Sequence, residues 1–387
     1  MSDDDRKLHA ALATFRDVEP APPLEEDEEA PKFSMTGKRA ALFALFVLGA
    51  LAFLYFVLPQ LGDVRDTWGR LSEGEPGWLF VALLMQIASM GCYMVVFQDV
   101  HVPPGFPIKL KETYQITMAS LAATRLFAAG GAGGVALTAW ALRRAGLPRK
   151  DVATRMIAFL ALTYAIYMLA LIVCGFGLRW GIFPGKAPFA LTIIPAYIGI
   201  FAFLVFFAIA FLPKDLERRI TGYQPRSTRA GKLLGALATG PARLGDGVRF
   251  ALRAMRHPDL ALLGTVGWWG FNIGVLYACF EAFGHAPPVA VMVQAYFVGM
   301  LGNLLPLPGG IGGVDAGMYG TFVAFGEPGS LALISVLTYR LFAFWLPSLP
   351  GAIAYFQLRR TVARWRTERP RNASVSPGTI QSEVSPS

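Results

Sequence analysis

Charged residues are scarce in this sequence, and cysteine and histidine are scarcer. Only 16% of the residues are charged, whereas 54% are hydrophobic and the mean hydropathy is +0.47. This composition excludes an ordinary soluble enzyme and is typical of a protein that crosses a membrane several times. The three cysteines form no CxxC pair, so we interpret them as small core residues rather than as a metal site or disulfide framework.

Catalytic motifs are also missing. The sequence contains no HExxH, GxSxG or Walker A pattern. Residues 131–136 fit the loose GxGxxA dinucleotide pattern, but they lie in membrane-length apolar sequence without a preceding strand. We therefore predict no cofactor, no metal ion, no catalytic residue and no nucleic-acid partner, and an enzyme is the less favoured class.

Long apolar runs define the fold class. A helix needs about 20 apolar residues to cross a bilayer. The sequence contains six uninterrupted runs of this kind, and two more apolar regions, about 113–142 and 289–326, that glycine interrupts. The sequence predicts an all-α polytopic integral membrane protein with a transmembrane domain over residues 40–358. Its uninterrupted predicted spans are 40–58, 77–97, 156–178, 188–212, 260–283 and 330–358.

The positions of Lys and Arg predict the orientation, because basic residues concentrate in cytoplasmic loops. Basic clusters occur before the first run, around 109–111, around 143–150, throughout the linker 213–259 and around 359–366. This distribution places both termini in the cytoplasm. Residues 1–39 form a predicted disordered tail, acidic because residues 1–30 carry ten acids and three bases, and residues 359–387 form a second disordered tail.

The same topology predicts an inverted-topology repeat. Residues 77–178 and 260–358 would each contain a long helix, a glycine-broken hairpin and another long helix, and the two units would run in opposite directions. Such repeats are common in transporters, which bind substrate where the broken helices meet. We expect re-entrant hairpins, although charge counting does not distinguish one re-entrant hairpin from two full crossings.

Two glycine-rich breaks mark the predicted site, one of them within the stretch NLLPLPGGIGGVD. A broken helix survives in a bilayer only where protein or a water-filled cavity surrounds it. The helix that follows the break has free N–H groups and a positive dipole end that favour an anion such as a phosphate. The alternative is that the glycines let helices pack closely. The breaks comprise Gly130, Gly131, Gly133 and Gly134, and Pro308, Gly309, Gly310, Gly312 and Gly313.

Three charges within the apolar regions complete the predicted substrate-binding site. Arg125 precedes the first break, Asp315 follows the second, and Arg340 lies in the last span. Charges at this depth are costly and are by default functional hypotheses. The alternative is a structural ion pair of Asp315 with Arg340 or with Arg125.

These motifs resemble a known family. Pro306 to Gly312, the acidic residue at 315, Tyr339-Arg340-Leu341 and Pro350-Gly351 are similar to the membrane domain of lysylphosphatidylglycerol synthases, which is also found alone in flippase-like membrane proteins. The resemblance spans about residues 40–360. Two departures are that this family usually has Glu where Asp315 stands, and that many members carry Glu-Arg where this chain has Thr163-Tyr164.

The resemblance implies a bacterial inner-membrane protein that moves a phospholipid or a polyprenyl-linked lipid between leaflets. Its partners would be membrane lipids, either anionic or aminoacylated phospholipid or polyprenyl-phosphate lipid, held by Arg125 and Arg340. The synthase activity needs a large soluble domain, so a separate lipid-modifying enzyme would make any aminoacylated lipid. The alternatives are an integral membrane transferase with Asp315 as general base, and a non-transporting partner protein.

Overall fold

The computed structural model describes residues 74–126, 132–210, 248–249, 260–304, 310 and 312–373. The acidic tail, the first apolar run, most of the basic linker and the chain after residue 373 lie outside the described residues. Ten α-helices make up nearly all of the described part, and a π turn at Leu341–Trp345 joins the last two. The helices are α1 Pro76–His101, α2 Leu110–Leu126, α3 Ala132–Ala145, α4 Arg149–Arg179, α5 Phe189–Ala210, α6 Leu260–Phe283, α7 Val289–Met300, α8 Gly313–Phe325, α9 Gly329–Arg340 and α10 Leu346–Ala373.

Five helical segments are long and apolar enough to cross a membrane. They are α1, α4, residues Phe189–Ala208 of α5, α6, and the continuous stretch Gly329–Trp365 that contains α9, the π turn and most of α10. They coincide with five of the six predicted spans, and the sixth, 40–58, lies outside the described residues. The predicted all-α polytopic membrane protein is therefore confirmed for the part of the chain that the structure describes.

The helix that ends the described chain continues past the predicted boundary at residue 359. α10 runs to Ala373, so residues 359–373 are helical where the sequence predicted a tail. Leu358 and Val362 are buried in a cluster with residues of α2, and Thr361 donates a hydrogen bond to the Gln115 Oε1 atom at 2.8 Å. Packing against α2 thus stabilises helix beyond the span.

Each glycine break separates two short helices. α2 has 17 residues and α3 has 14, whereas α7 has 12 and α8 has 13. At 1.5 Å per residue these lengths are about 18–26 Å, less than the roughly 30 Å hydrocarbon core. The lengths suit hairpins that enter and leave on one side, and the re-entrant course itself stays a prediction.

The first helices of the two predicted units, α1 and α6, pack antiparallel along their whole length. Gly264 lies against Val96 near one end of the pair, and Gly274 lies against the Met85 side chain further along. At the other end the N–H of Glu75 donates to a carbonyl at the end of α6 at 2.9 Å. Small residues at these positions allow the backbones to approach closely, as in other membrane helix pairs.

The remaining contacts between the units are reciprocal. The last helix of the second unit, α10, packs antiparallel to α2 of the first hairpin. The last helix of the first unit, α4, contacts α7 of the second hairpin, where the Tyr167 hydroxyl donates to the Phe297 carbonyl at 2.6 Å. An inverted repeat predicts this exchange of partners; the symmetry relation between the units stays a prediction.

We expect Gly351→Ala to destabilise the protein, because a Cβ atom there would lie 2.7 Å from the Met118 carbonyl oxygen and 2.8 Å from the Ala122 Cβ atom. Overpacking of a tight interface costs about 1–3 kcal/mol. The matched control is Gly270→Ala, since a Cβ atom at Gly270 meets nothing within 4 Å. Thermal unfolding in detergent should show a lower midpoint for the first variant alone; equal midpoints would contradict the close α2–α10 contact.

Candidate functional site

Three charged side chains from separate helices converge next to the second glycine break. Arg340, the last residue of α9, forms an ion pair with Asp315 through its Nε atom, and their side chains are only 14% and 21% exposed. The Nη2 atom of the same guanidinium donates to the Gly310 carbonyl at 3.0 Å. Arg340 therefore ties α9 both to the break and to the first turn of α8.

Asp315 caps the helix that follows the break. Its Oδ2 atom accepts a hydrogen bond from the Gly312 N–H at 2.9 Å, which closes the N-terminus of α8. Gly310 and Gly312 have φ angles of 66° and 84°, in the left-handed region that favours glycine. The N-terminus that the sequence offered to a lipid phosphate thus already faces the carboxylate of Asp315, which the helix dipole also favours.

Arg125 is bound to the backbone of the π turn. Its Nη2 atom donates to the Ala343 carbonyl at 2.7 Å, and its Nη1 atom donates to the Phe344 carbonyl at 2.8 Å. In a regular helix the Ala343 carbonyl would accept from residue 347, but residue 347 is proline and has no N–H. Arg125 therefore satisfies a carbonyl that Pro347 leaves without a helical donor, a need that is acute inside a bilayer.

The Phe344 ring joins the two arginines. The Arg125 and Arg340 Cζ atoms lie 5.3 Å and 5.2 Å from its centroid, within the range of cation–π contacts. The structure thus brings together all three predicted charges, as an Asp315–Arg340 pair with Arg125 across a shared ring. When all three side chains are ionised, their charges sum to +1, so the cluster has one positive charge that Asp315 does not neutralise.

The first glycine break lies next to this cluster but differs from the second. A Cβ atom at Gly134 would overlap the Ser120 carbonyl oxygen and the Thr124 hydroxyl oxygen, so this glycine allows α3 to pack closely on α2. Unlike α8, α3 has no acidic residue in its first turn. Among the other predicted residues, Gly133 and Gly313 lie in the first turns of α3 and α8, and Gly130, Gly131, Pro308 and Gly309 lie outside the described residues.

Sequence reasoning missed the residues that hold the cluster together. In the sequence, Phe344 is not distinguished from the other apolar residues of its span. Nor did sequence reasoning consider that Pro347 leaves a carbonyl group without its helical hydrogen-bond donor. A further pair, Tyr296 and Tyr339, is buried with 3.1 Å between the two hydroxyl oxygens, and Tyr339 directly precedes Arg340 in the chain. The one available signal was Pro347, because a proline inside a span always leaves a carbonyl four residues earlier without its helical donor.

Comparison with known proteins agrees with the motifs around the cluster. The profile described as the lysylphosphatidylglycerol synthase TM region matches residues 41–351, and so contains all three charges. The chain belongs to this family. The predicted resemblance is confirmed, and it extends over most of the region that the motifs indicated.

Named relatives of this family member come from Methanothermobacter thermautotrophicus, and each is called a UPF0104 membrane protein. One is 22% identical over 343 residues, which cover 83% of this chain and 96% of the relative. Two shorter matches are 31% identical over 113 residues and 40% identical over 79 residues. These two cover 29% and 20% of this chain, and only 32% and 24% of the relatives' own lengths.

Proposed function

We propose that this member of the family moves a lipid with a phosphate in its headgroup, either a phospholipid or a polyprenyl-linked lipid, from one leaflet of a membrane to the other. The observation that carries the proposal is the Arg125–Phe344–Arg340 cluster. Two guanidinium groups and one carboxylate meet inside a helical bundle, beside two helix breaks. Charged side chains are costly inside a membrane, and where they occur they commonly mark a substrate or ion pathway.

A phosphate group fits what the cluster still lacks. Asp315 neutralises one arginine, and a monoanionic phosphodiester would neutralise the other. Arginine is suited to this exchange because its fork binds carbonyl, carboxylate and phosphate oxygens alike. We propose that a phosphate of the lipid headgroup accepts hydrogen bonds that Arg125 otherwise donates to the π turn. The guanidinium donors then stay satisfied during passage, while the carbonyls of the π turn give up this donor.

The first turn of α3 supplies a second element of the proposed site. Gly134 places this turn against Thr124, the neighbour of Arg125, and no carboxylate of its own competes for the N–H groups. Free N–H groups at a helix N-terminus favour a phosphate. We propose that the headgroup lies between this turn and Arg125 and also accepts a hydrogen bond from Arg340, which shares the Phe344 ring with Arg125. The N-terminus of α8 stays closed by Asp315.

Leaflet-resolved lipid distribution in proteoliposomes tests the proposal. Purified protein is reconstituted with headgroup-matched fluorescent phosphatidylglycerol, phosphatidylcholine or lysylphosphatidylglycerol, and dithionite reports the outer-leaflet fraction over time. We expect faster exchange of an anionic or aminoacylated lipid than in protein-free vesicles, and a smaller effect on phosphatidylcholine. If no phospholipid moves faster, the assay is repeated with a polyprenyl-phosphate lipid, and failure there as well overturns the proposal.

A further inference from the structure

One end of the helical bundle carries closely spaced basic side chains. α2 and α4 begin there, α3 ends there, and the C-terminal half of α10 passes there. The shared apolar cluster that contains Ile108, Leu147 and Leu358 shows this arrangement. Arg364 of α10 also lies 3.8 Å from Glu112 of α2. We define the basic collar by six exposed residues at this end: Lys109, Lys111, Arg149, Lys150, Arg359 and Arg360.

The opposite end of the bundle has no comparable excess of positive charge in its described residues. α1 begins and α6 ends there, joined by a hydrogen bond from the Glu75 N–H. Arg179 and Lys186 are exposed at this end, and acidic Glu75, Glu281 and Glu327 lie at the same end. The charge asymmetry is therefore a property of the folded bundle and not only of the sequence order.

The sequence predicts that the acidic arm, residues 1–30, lies on the same side of the membrane as the collar. A single run of membrane length, 40–58, separates the arm from Pro76, where α1 begins at the end opposite the collar. One crossing by that run, which its length and apolar composition predict, would place the arm on the collar side. The arm carries ten acids and three bases, a net charge of −7, and is therefore opposite in sign to the collar, whose six basic side chains have the exposed acid Asp151 beside them.

We propose that the acidic arm binds the basic collar of the same chain. A single exposed ion pair contributes little, but a tethered segment presents many carboxylates at a high effective concentration. Thirty residues extend up to about 100 Å and occupy roughly 30 Å as a flexible coil, enough to cover one end of a bundle. Anionic lipid headgroups compete with the arm for the collar. We expect the arm to bind in their presence because its ten carboxylates are joined on one tethered segment.

Zero-length cross-linking of the full-length protein tests this contact. A carbodiimide couples carboxylates to amines in contact, and the collar supplies amines at Lys109, Lys111 and Lys150, whereas Lys186 at the opposite end is a built-in control. In vesicles of phosphatidylcholine and in vesicles that also contain phosphatidylglycerol, we expect mass spectrometry to find cross-links from the arm to collar lysines and none to Lys186. High salt should abolish them, because screening shortens the Debye length to about 3 Å at 1 M.

Two matched variants and one mixing experiment decide the outcome. Changing all ten acids of the arm to Asn or Gln should abolish the contact, seen as loss of protection of Lys109, Lys111 and Lys150 from amine-specific acetylation. Changing Arg359 and Arg360 to Gln should weaken the cross-links, and changing Arg179 to Gln should not. In the mixing experiment, differently isotope-labelled chains are combined, and cross-links found only between chains would overturn the proposal. Loss of the cross-links when phosphatidylglycerol is present would also overturn it, and so would equal cross-linking of Lys186. None of these readouts depends on lipid transport.

Discussion

Arg340→Ala is expected to stop lipid movement and to destabilise the protein. Removing one partner of a buried ion pair leaves the other charge uncompensated, at a cost of roughly 3 kcal/mol. The variant also loses the hydrogen bond to the Gly310 carbonyl and the contact with the Phe344 ring. The proteoliposome exchange assay and the thermal unfolding midpoint measure the two effects on the same preparation.

A paired variant separates loss of binding from loss of folding. Arg340→Gln combined with Asp315→Asn removes both charges of the pair together, so neither partner is left as a lone charge and the unfolding midpoint should stay closer to that of the original chain. Lipid exchange should still fall about 10- to 100-fold. Hydrogen bonds to charged groups contribute about 1.5–3 kcal/mol, and each 1.4 kcal/mol is tenfold. Normal exchange by the neutral pair would show that Arg340 only holds the fold.

Single-sequence reasoning was sufficient for the five spans that the structure describes and for the three charges of the cluster, but not for Phe344. Runs of apolar residues of bilayer length leave few alternatives to a helix, and a charge in such a run needs a partner. Asp315 had two possible partners, Arg125 and Arg340, and the structure selects Arg340. The sequence could not make that choice because it depends on how α9 returns towards the start of α8.

The two glycine breaks show why a matching pattern does not imply a matching role. Gly310 and Gly312 are needed for their positive φ angles, whereas Gly134 is needed because a side chain would overlap α2. Both roles produce the same letters in the sequence. Only the position of the neighbouring helix separates them, and Ser120 and Thr124 gave no signal of lying against the break.

The contact of Arg125 with the π turn was equally hidden, since it joins residues more than 200 positions apart. It depends on the close approach of α2 and α10 at Gly351, which a sequence does not reveal. The structure therefore raises a question about Arg125 itself: whether it serves the backbone, a lipid, or both in turn.

A second-site variant answers that question. Arg125→Ala should lower stability by about 2 kcal/mol, because the Ala343 carbonyl is left without a donor while the Phe344 carbonyl keeps the Ser348 hydroxyl. Adding Pro347→Ala supplies the missing N–H four residues after Ala343 and should restore most of the unfolding midpoint. Pro347→Ala alone is the control, and it should retain lipid exchange because Arg125 is still present.

The combination of stability and exchange in the double variant assigns the role of Arg125. Recovered stability with exchange still about tenfold or more below the original chain means that the guanidinium contacts the lipid as well as the π turn. Recovered stability together with recovered exchange means that Arg125 acts on the backbone alone, and the proposed phosphate contact is then wrong. If adding Pro347→Ala restores neither stability nor exchange, Arg125 does not replace the missing N–H of Pro347, and its hydrogen bonds to the two carbonyls need another cause.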